Sequence, residues 1–264
     1  MELVDTHAHL SDSQFDADRP EVLRRAGQAL VNTIVEIADS PADWLKAAAL
    51  SREYPSRLRC SLGLHPYYAA DYSEDLLRRL ELAARGPEVA AVGEIGLDYA
   101  RSEVPAEIQK KAFESLAAAA LAWGKPAVIH CRAAYKDLRD ILKSLVAGPP
   151  AHQRYWGVVH CFSGDADDAT FLAGLGFALG VDGPVTYPKN EGLREAFRRA
   201  GPSALVLETD SPYLPPQSSR GKRNEPANLP EIASGLAKAL GLPIEELARM
   251  TTANARALFG LKGL

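Results

Sequence analysis

The chain has little cysteine, no long apolar run and no excess of positive charge, and each lack closes off a class of protein. Only Cys60, Cys131 and Cys161 occur in 264 residues. So odd and sparse a set excludes a disulfide scaffold and points to a reducing compartment. No stretch of about 18 apolar residues is present, so no membrane span is predicted. The first residues are acidic and pass straight into a strand-like run, without the basic and apolar regions of a secretory signal. A cytoplasmic location is therefore expected. The net charge of −4 and a pI near 5.9 argue against a surface that coats nucleic acid, while leaving room for a local basic groove. No internal repeat, low-complexity tract or linker breaks the chain, and nothing in it calls for an obligate protein partner. What is there is ordinary globular composition, 47% hydrophobic, enough to bury a core without disulfides.

Apolar, β-branched runs alternate with helical stretches throughout. Strands are predicted at 3–9, 32–38, 59–65, 89–98, 126–131, 155–161, 177–185 and 205–210. Helices are predicted at 18–30, 41–54, 73–85, 105–123, 135–146, 165–175 and 191–200, with two more at 229–240 and 244–259. Asp18 is read as the cap of the first helix. Eight such units predict an α/β protein, a (β/α)8 TIM-type barrel forming one domain over 1–264. An open doubly wound sheet is the alternative. It would want Gly-x-Gly-x-x-Gly after the first strand, and none occurs there.

His7 and His9 stand two apart, with Asp5 on the same strand parity. Such a pair is either two ligands to one cation or two solvated rings. The other candidate ligands fall at strand ends: His65, Glu94 and Asp98, His130, His160, Glu208 and Asp210. Five of the six histidines lie at these ends, and only His152 does not. In a barrel the C-terminal face carries the chemistry, so a metal site is expected there. Strand adjacency gathers His7, His9 and Asp210 on one side, and Glu94, His130 and His160 on the other. Two clusters suggest two divalent ions about 3.5–4 Å apart, with Glu94 as the bridge. Nitrogen and oxygen donors without thiolate suit Zn, Mn, Fe or Mg. Cys131 and Cys161 are expected to face the helix layer and pack there.

The segments Asp5-Thr-His-Ala-His-Leu10, Gly63-Leu-His-Pro66, Gly93-Glu-Ile-Gly-Leu-Asp-Tyr99, Ile129-His-Cys-Arg132, His160-Cys-Phe-Ser-Gly164, Glu208-Thr-Asp-Ser-Pro-Tyr-Leu214, Arg220-Gly-Lys-Arg-Asn-Glu-Pro226 and Asn254-Ala-Arg-Ala-Leu-Phe-Gly260 together resemble the TatD family of metal-dependent deoxyribonucleases. The segments occur in the family's order and span nearly the whole chain. The resemblance implies an amidohydrolase-like barrel, a divalent metal requirement (Mg, Mn or Zn) and hydrolysis of phosphodiester bonds in DNA. It also implies metal-ligand roles for His7, His9, Glu94, His130, His160 and Asp210. Two departures bear on substrate contacts: Ala133-Ala134 stands where the family often has Asp-Ala, and Ala100-Arg101 follows Tyr99 where an aromatic and a basic residue are common.

For this chemistry the expected catalytic residues are Asp210, orienting an activated water and taking its proton, and Glu94 between the metals. His65 is expected to contact a substrate phosphate. Arg132 either pins a phosphate or covers the barrel rim. Arg223, with Arg220 and Lys222, either lines a phosphate-binding groove or sits in a solvated loop. Tyr99 and Tyr213 either stack on bases or pack at the rim. Glu208 is expected to support the ligands. The expected substrate is DNA, at ends or in short single strands. A metal-dependent amidase, lactonase or deaminase on the same barrel is the alternative. Such sites often carry a carbamylated lysine at the end of strand four, where this chain has Glu94 and no lysine.

Overall fold

The computed structural model describes residues 2–261. In chain order the elements are β1 (Leu3–Ala8), α1 (Arg19–Gln28), β2 (Val31–Ala38), α2 (Pro41–Glu53), β3 (Leu58–Leu62), α3 (Glu74–Ala84), β4 (Val89–Asp98), α4 (Ala106–Ala122), β5 (Ala127–Arg132), α5 (Tyr135–Leu145), β6 (Gly157–Val159), α6 (Ala166–Leu175), β7 (Phe177–Val181), α7 (Glu191–Ala200), β8 (Leu205–Leu207), α8 (Leu229–Leu240) and α9 (Ile244–Phe259). The eight strands lie in sequence order in one sheet, each parallel to the next. The sheet closes through the residues that follow β8. Asp210 N–H donates to His7 O at 2.9 Å, and His9 N–H donates to Ser211 O at 2.8 Å. This is the (β/α)8 barrel expected from the alternation of runs.

The strands are apolar on both sides because both faces are covered. Val4, Val35, Ala91, Val128, Val158, Ala178 and Val206 fill the interior. Their strand neighbours join the larger cluster under the helices. Ala255, Leu258 and Phe259 of α9 pack into the interior group. Thr252 Oγ1 donates to Glu2 O and Asn254 Nδ2 to Leu205 O, so α9 is tied to the strand starts and seals that end. The opposite end, at the strand exits, is left to polar residues.

Helix starts follow ordinary capping chemistry. Ser73 Oγ accepts from Leu76 N, and Asp165 with Asp168 forms a capping box on α6. Asp18 departs from expectation. Its side chain caps nothing, because Arg223 and Arg25 hold the carboxylate.

The sheet also ends earlier than the apolar runs imply. Strands predicted to reach 65, 161, 185 and 210 stop at Leu62, Val159, Val181 and Leu207. Cys161 and Asp210 adopt left-handed φ values of 44° and 55°, which no strand residue can hold. The chain leaves the sheet there, so His65, His160, Glu208 and Asp210 stand just beyond the strands, while His7, Glu94 and His130 lie within β1, β4 and β5. The shared parity of Asp5, His7 and His9 fails for a related reason. The pairing of β1 with β2 shifts register between Asp5 and Ala8, and His9 lies past the strand end.

Candidate metal centre

Glu94 lies midway along β4 rather than at its end, and its carboxylate stands among the histidines of the barrel mouth. Its Oε1 lies 2.7 Å from His160 Nε2 and 2.9 Å from His130 Nδ1. Its Oε2 lies 3.3 Å from His7 Nε2. Asp210 Oδ1 is 3.6 Å from His7 Nε2 and 3.5 Å from His9 Nε2. The structure therefore brings together His7, His9, Glu94, His130, His160 and Asp210, with one carboxylate facing an imidazole group on each side.

The donor set fits divalent cations. His7 and His9 face each other Nε2 to Nε2 at 3.2 Å, and His130 Nδ1 faces His160 Nε2 at 3.2 Å. Two imidazole lone pairs so close repel unless a proton or a cation lies between them. Three overlapping groups each hold their ligand atoms within 4.8 Å: His7, His9 and Glu94; His7, His160 and Asp210; and His65, Glu94 and His130. Nitrogen and oxygen donors in this mixture, without thiolate, suit a divalent cation.

Protonation follows from the same contacts. Burial pushes His7 down to about 4, with the neighbouring His160 adding to the effect. Burial alone would raise Glu94, but His160, His65 and His130 outweigh it and hold the carboxylate well below its usual range. Asp210 is likewise buried yet lowered, by His9, His7 and His160. Burial would lower His130, but Asp98 and Glu94 carry it up to about 9. A cation entering the site must displace that proton.

Supporting carboxylates set the orientation of the rings. Asp98 Oδ2 lies 3.1 Å from His130 Nε2, so the ring's Nδ1 faces Glu94. Glu36, buried on β2, accepts from Leu10 N at 2.6 Å and Ser11 N at 2.9 Å, which fixes the chain just after His9. Asp5 accepts from Thr209 N and Oγ1, tying β1 to the residue before Asp210. Glu208 accepts from Cys161 N and lies 3.7 Å from His160 Nδ1. A Cβ at Gly180 would run into that carboxylate, so β7 needs glycine there.

The remaining expected residues fall variously. His65 is buried, with Nε2 3.4 Å from Glu94 Oε1. Its Nδ1 accepts from Tyr67 N at 3.2 Å, so in the neutral ring Nε2 carries the proton and is a donor rather than a ligand. Burial holds His65 down to about 3, which keeps that ring neutral. Arg132 is half-buried, 3.5 Å from Asp98 Oδ2, and lines a cavity of about 800 Å³ beside His130 and His160. Arg223 is committed elsewhere: both its terminal nitrogens pair with Asp18 at 2.8 Å, and the guanidinium covers the Phe15 ring. A phosphate contact would have to break that ion pair. Tyr99 donates to Asp137, and Tyr213 to Asp12 with its ring half-exposed beside His9. Cys131 is buried in the core as expected. Cys161 is not packed under the helices. Its left-handed backbone turns the thiol to Asp182 Oδ2 at 3.0 Å, within the cavity wall.

Asp39 and Asp182 carry no role in the sequence reading, yet both reach this end of the barrel, Asp39 at 3.8 Å from His9 Nδ1. They follow β2 and β7, the two strands to which no candidate had been assigned. Asp39 directly follows the predicted end of strand two, so the strand-end rule finds it there; Asp182 falls inside the predicted run 177–185, and only the observed end of β7 at Val181 exposes it.

The chain matches the TatD-related DNase family over residues 4–260. An uncharacterized metal-dependent hydrolase, YabD of Bacillus subtilis, is 35% identical over 97% of this chain and 98% of its own length. A 3′-5′ ssDNA/RNA exonuclease, TatD of Pantoea ananatis, is 32% identical over 98% of this chain and 100% of its own length. Among solved structures, the TatD homologue YJJV of Escherichia coli K12 superposes with a TM-score of 0.90 at 31% identity, covering 98% of each chain.

Proposed function

The chain belongs to the TatD-related DNase family, and from that membership we propose a metal-dependent deoxyribonuclease that removes nucleotides from the 3′ end of a single strand. The observation that carries the reading is Glu94, whose two oxygens face separate imidazole groups across the mouth. That arrangement suits two divalent ions: His7, His9 and Asp210 would hold one, His130 and His160 the other, and Glu94 would serve both. When bound, such ions lower the pKa of water and neutralise phosphoryl oxygens.

The chain's own groups do the rest. Asp210 stays ionised at neutral pH, so it orients the attacking water and accepts its proton. His65 Nε2–H donates to a non-bridging oxygen of the scissile phosphate. Arg132 keeps nitrogens beyond its single contact with Asp98 and offers them to the same phosphate or the next. Asp98 and Glu208 hold the ligand rings in place. The interior below is lined by buried apolar side chains, a low-dielectric surrounding that strengthens each of these contacts.

Among the described residues no helix is long and apolar enough to cross a membrane. The test is metal-stripped protein on 5′-end-labelled single-stranded DNA, with Mg, Mn or Zn restored separately. A ladder shortening from the 3′ end is expected. No product with any metal sinks the nuclease reading.

A further inference from the structure

Two clefts that differ in size and in charge balance open beside the candidate metal centre. The larger, about 800 Å³, adjoins His130 and His160. Phe162, Leu193 and Leu214 give it apolar walls, and Arg132 and Lys189 give it positive charge. Its three carboxyls are engaged: Asp165 caps α6, Asp182 accepts from the Cys161 thiol, and Glu195 pairs with Arg198 and Arg199. The smaller, about 310 Å³, adjoins His9. Tyr68 and Tyr213 flank it, and Asp12, Asp39 and Asp43 line it against one lysine, Lys46. His9 follows β1 and His130 lies on β5, strands four apart in a ring of eight, so the clefts face each other across the mouth. A strand whose scissile phosphate sits at Glu94 must send its body into one and its end into the other.

Charge decides which. The body of a strand carries a phosphate at every nucleotide. The nucleoside beyond the last phosphodiester carries none, provided the strand ends in a hydroxyl. Phosphates placed in the small cleft would meet carboxylates on several sides, with Lys46 already 3.8 Å from Asp43. A carboxylate accepts from a sugar hydroxyl and repels a phosphate at the same position, as acidic residues do at the ribose of dinucleotides. The volume lies at the small end of the roughly 300–1,000 Å³ of ligand pockets, which suits one nucleoside. The walls are held in place. Tyr213 donates to Asp12 Oδ2 at 3.2 Å and meets the His9 ring at 70°. Both tyrosines keep exposed faces on which a base can stack.

We propose that the cleft between Tyr68 and Tyr213 receives the terminal nucleoside of a strand ending in a free 3′-hydroxyl, and that Asp12 and Asp43 discriminate against an end that carries phosphate. The inference rests on the nuclease reading and adds the chemistry of the end it accepts. It also makes the enzyme one that releases single nucleotides, since a longer product would place a phosphate in the acidic cleft.

The experiment uses metal-loaded protein and two 5′-labelled single strands of one sequence, one ending in 3′-hydroxyl and one in 3′-phosphate. Bis(p-nitrophenyl) phosphate, a diester without sugar or base, is assayed alongside. The hydroxyl end is expected to be trimmed at least tenfold faster by kcat/KM. The Asp12→Asn, Asp43→Asn double variant is expected to narrow that ratio at least threefold. Equal rates on the two ends, or a ratio the double variant leaves unchanged, overturns the inference while hydrolysis of the plain diester keeps the nuclease reading. Failure to cleave either strand or the plain diester overturns both.

Discussion

Asp98 Oδ2 stands 3.1 Å from His130 Nε2, and that contact decides which nitrogen of the ring faces the centre. The carboxylate accepts, so Nε2 keeps its proton and Nδ1, which faces Glu94, is the nitrogen that gives up its proton to an entering cation. Asp98 is itself fixed, since Oδ1 takes the N–H groups of Ala100 at 2.9 Å and Arg101 at 2.8 Å. Asp98→Asn keeps the shape but offers an amide that can also donate, so the ring loses its single tautomer. Metal affinity is expected to fall about 10–100-fold. Calorimetric titration of metal-stripped protein checks it, and unchanged affinity removes Asp98 from the positioning of His130.

Asp210 is held at φ 55° by the chain's exit from β8, with its N–H on His7 O. Asp210→Asn preserves that turn, because asparagine tolerates the left-handed region. It removes the proton acceptor. At saturating metal, kcat is expected to drop by about 10²–10⁴ while circular dichroism stays unchanged. Near-wild-type kcat with metal retained would rule out Asp210 as the base.

The barrel was legible because strands covered on both faces read as short apolar runs, and β4, α7, α8 and α9 fall at the expected residues. That the candidate ligands come together was legible because strand adjacency in a closed barrel is nearly a geometric identity. Strand ends were not. Nothing in the letters of Cys161 or Asp210 marks a left-handed backbone, so both were placed on strands that had already stopped. Pairing between distant segments was equally hidden. Arg223 and Asp18 are far apart in sequence, and only the folded chain sets them in bidentate contact.

That pairing gives Arg223 a structural part. Its guanidinium joins Asp18, stacks on Phe15 and stands 4.0 Å from Glu225, which also holds Arg25. Arg223→Ala is expected to cost about 1–2 kcal/mol of stability, through lost packing and a carboxylate left with one partner. The dependence of DNA affinity on salt is expected to stay as it was. Arg132→Ala is expected to do the reverse, reducing the salt slope by about one with little change in melting temperature. Anisotropy titrations at several salt concentrations separate the two, and a shallower slope for Arg223→Ala restores it to the phosphate contacts.

Asp182 couples the cavity wall to pH. Burial raises its carboxyl from an ordinary 3.8 to about 7, with the thiol of Cys161 donating to it. In the unfolded chain Asp182 ionises near 3.8, while in the native state it holds its proton until about 7. The native state therefore binds more protons between those values. The contribution to stability is intact below pH 3.8, declines as pH rises and is fully lost above about 7, a loss on the order of 4 kcal/mol at most. Asp182→Asn presents a neutral side chain at every pH and still accepts from the thiol. The metal-free variant is expected to match wild type at acid pH and to melt several degrees higher at pH 8, given roughly 2–4 °C per kcal/mol for a chain of this size. Thermal melts of both proteins across pH 3.5 to 8 provide the measurement. Curves that stay parallel over that window mean the Asp182 carboxyl ionises in the native state near its ordinary value, and the buried proton is not there.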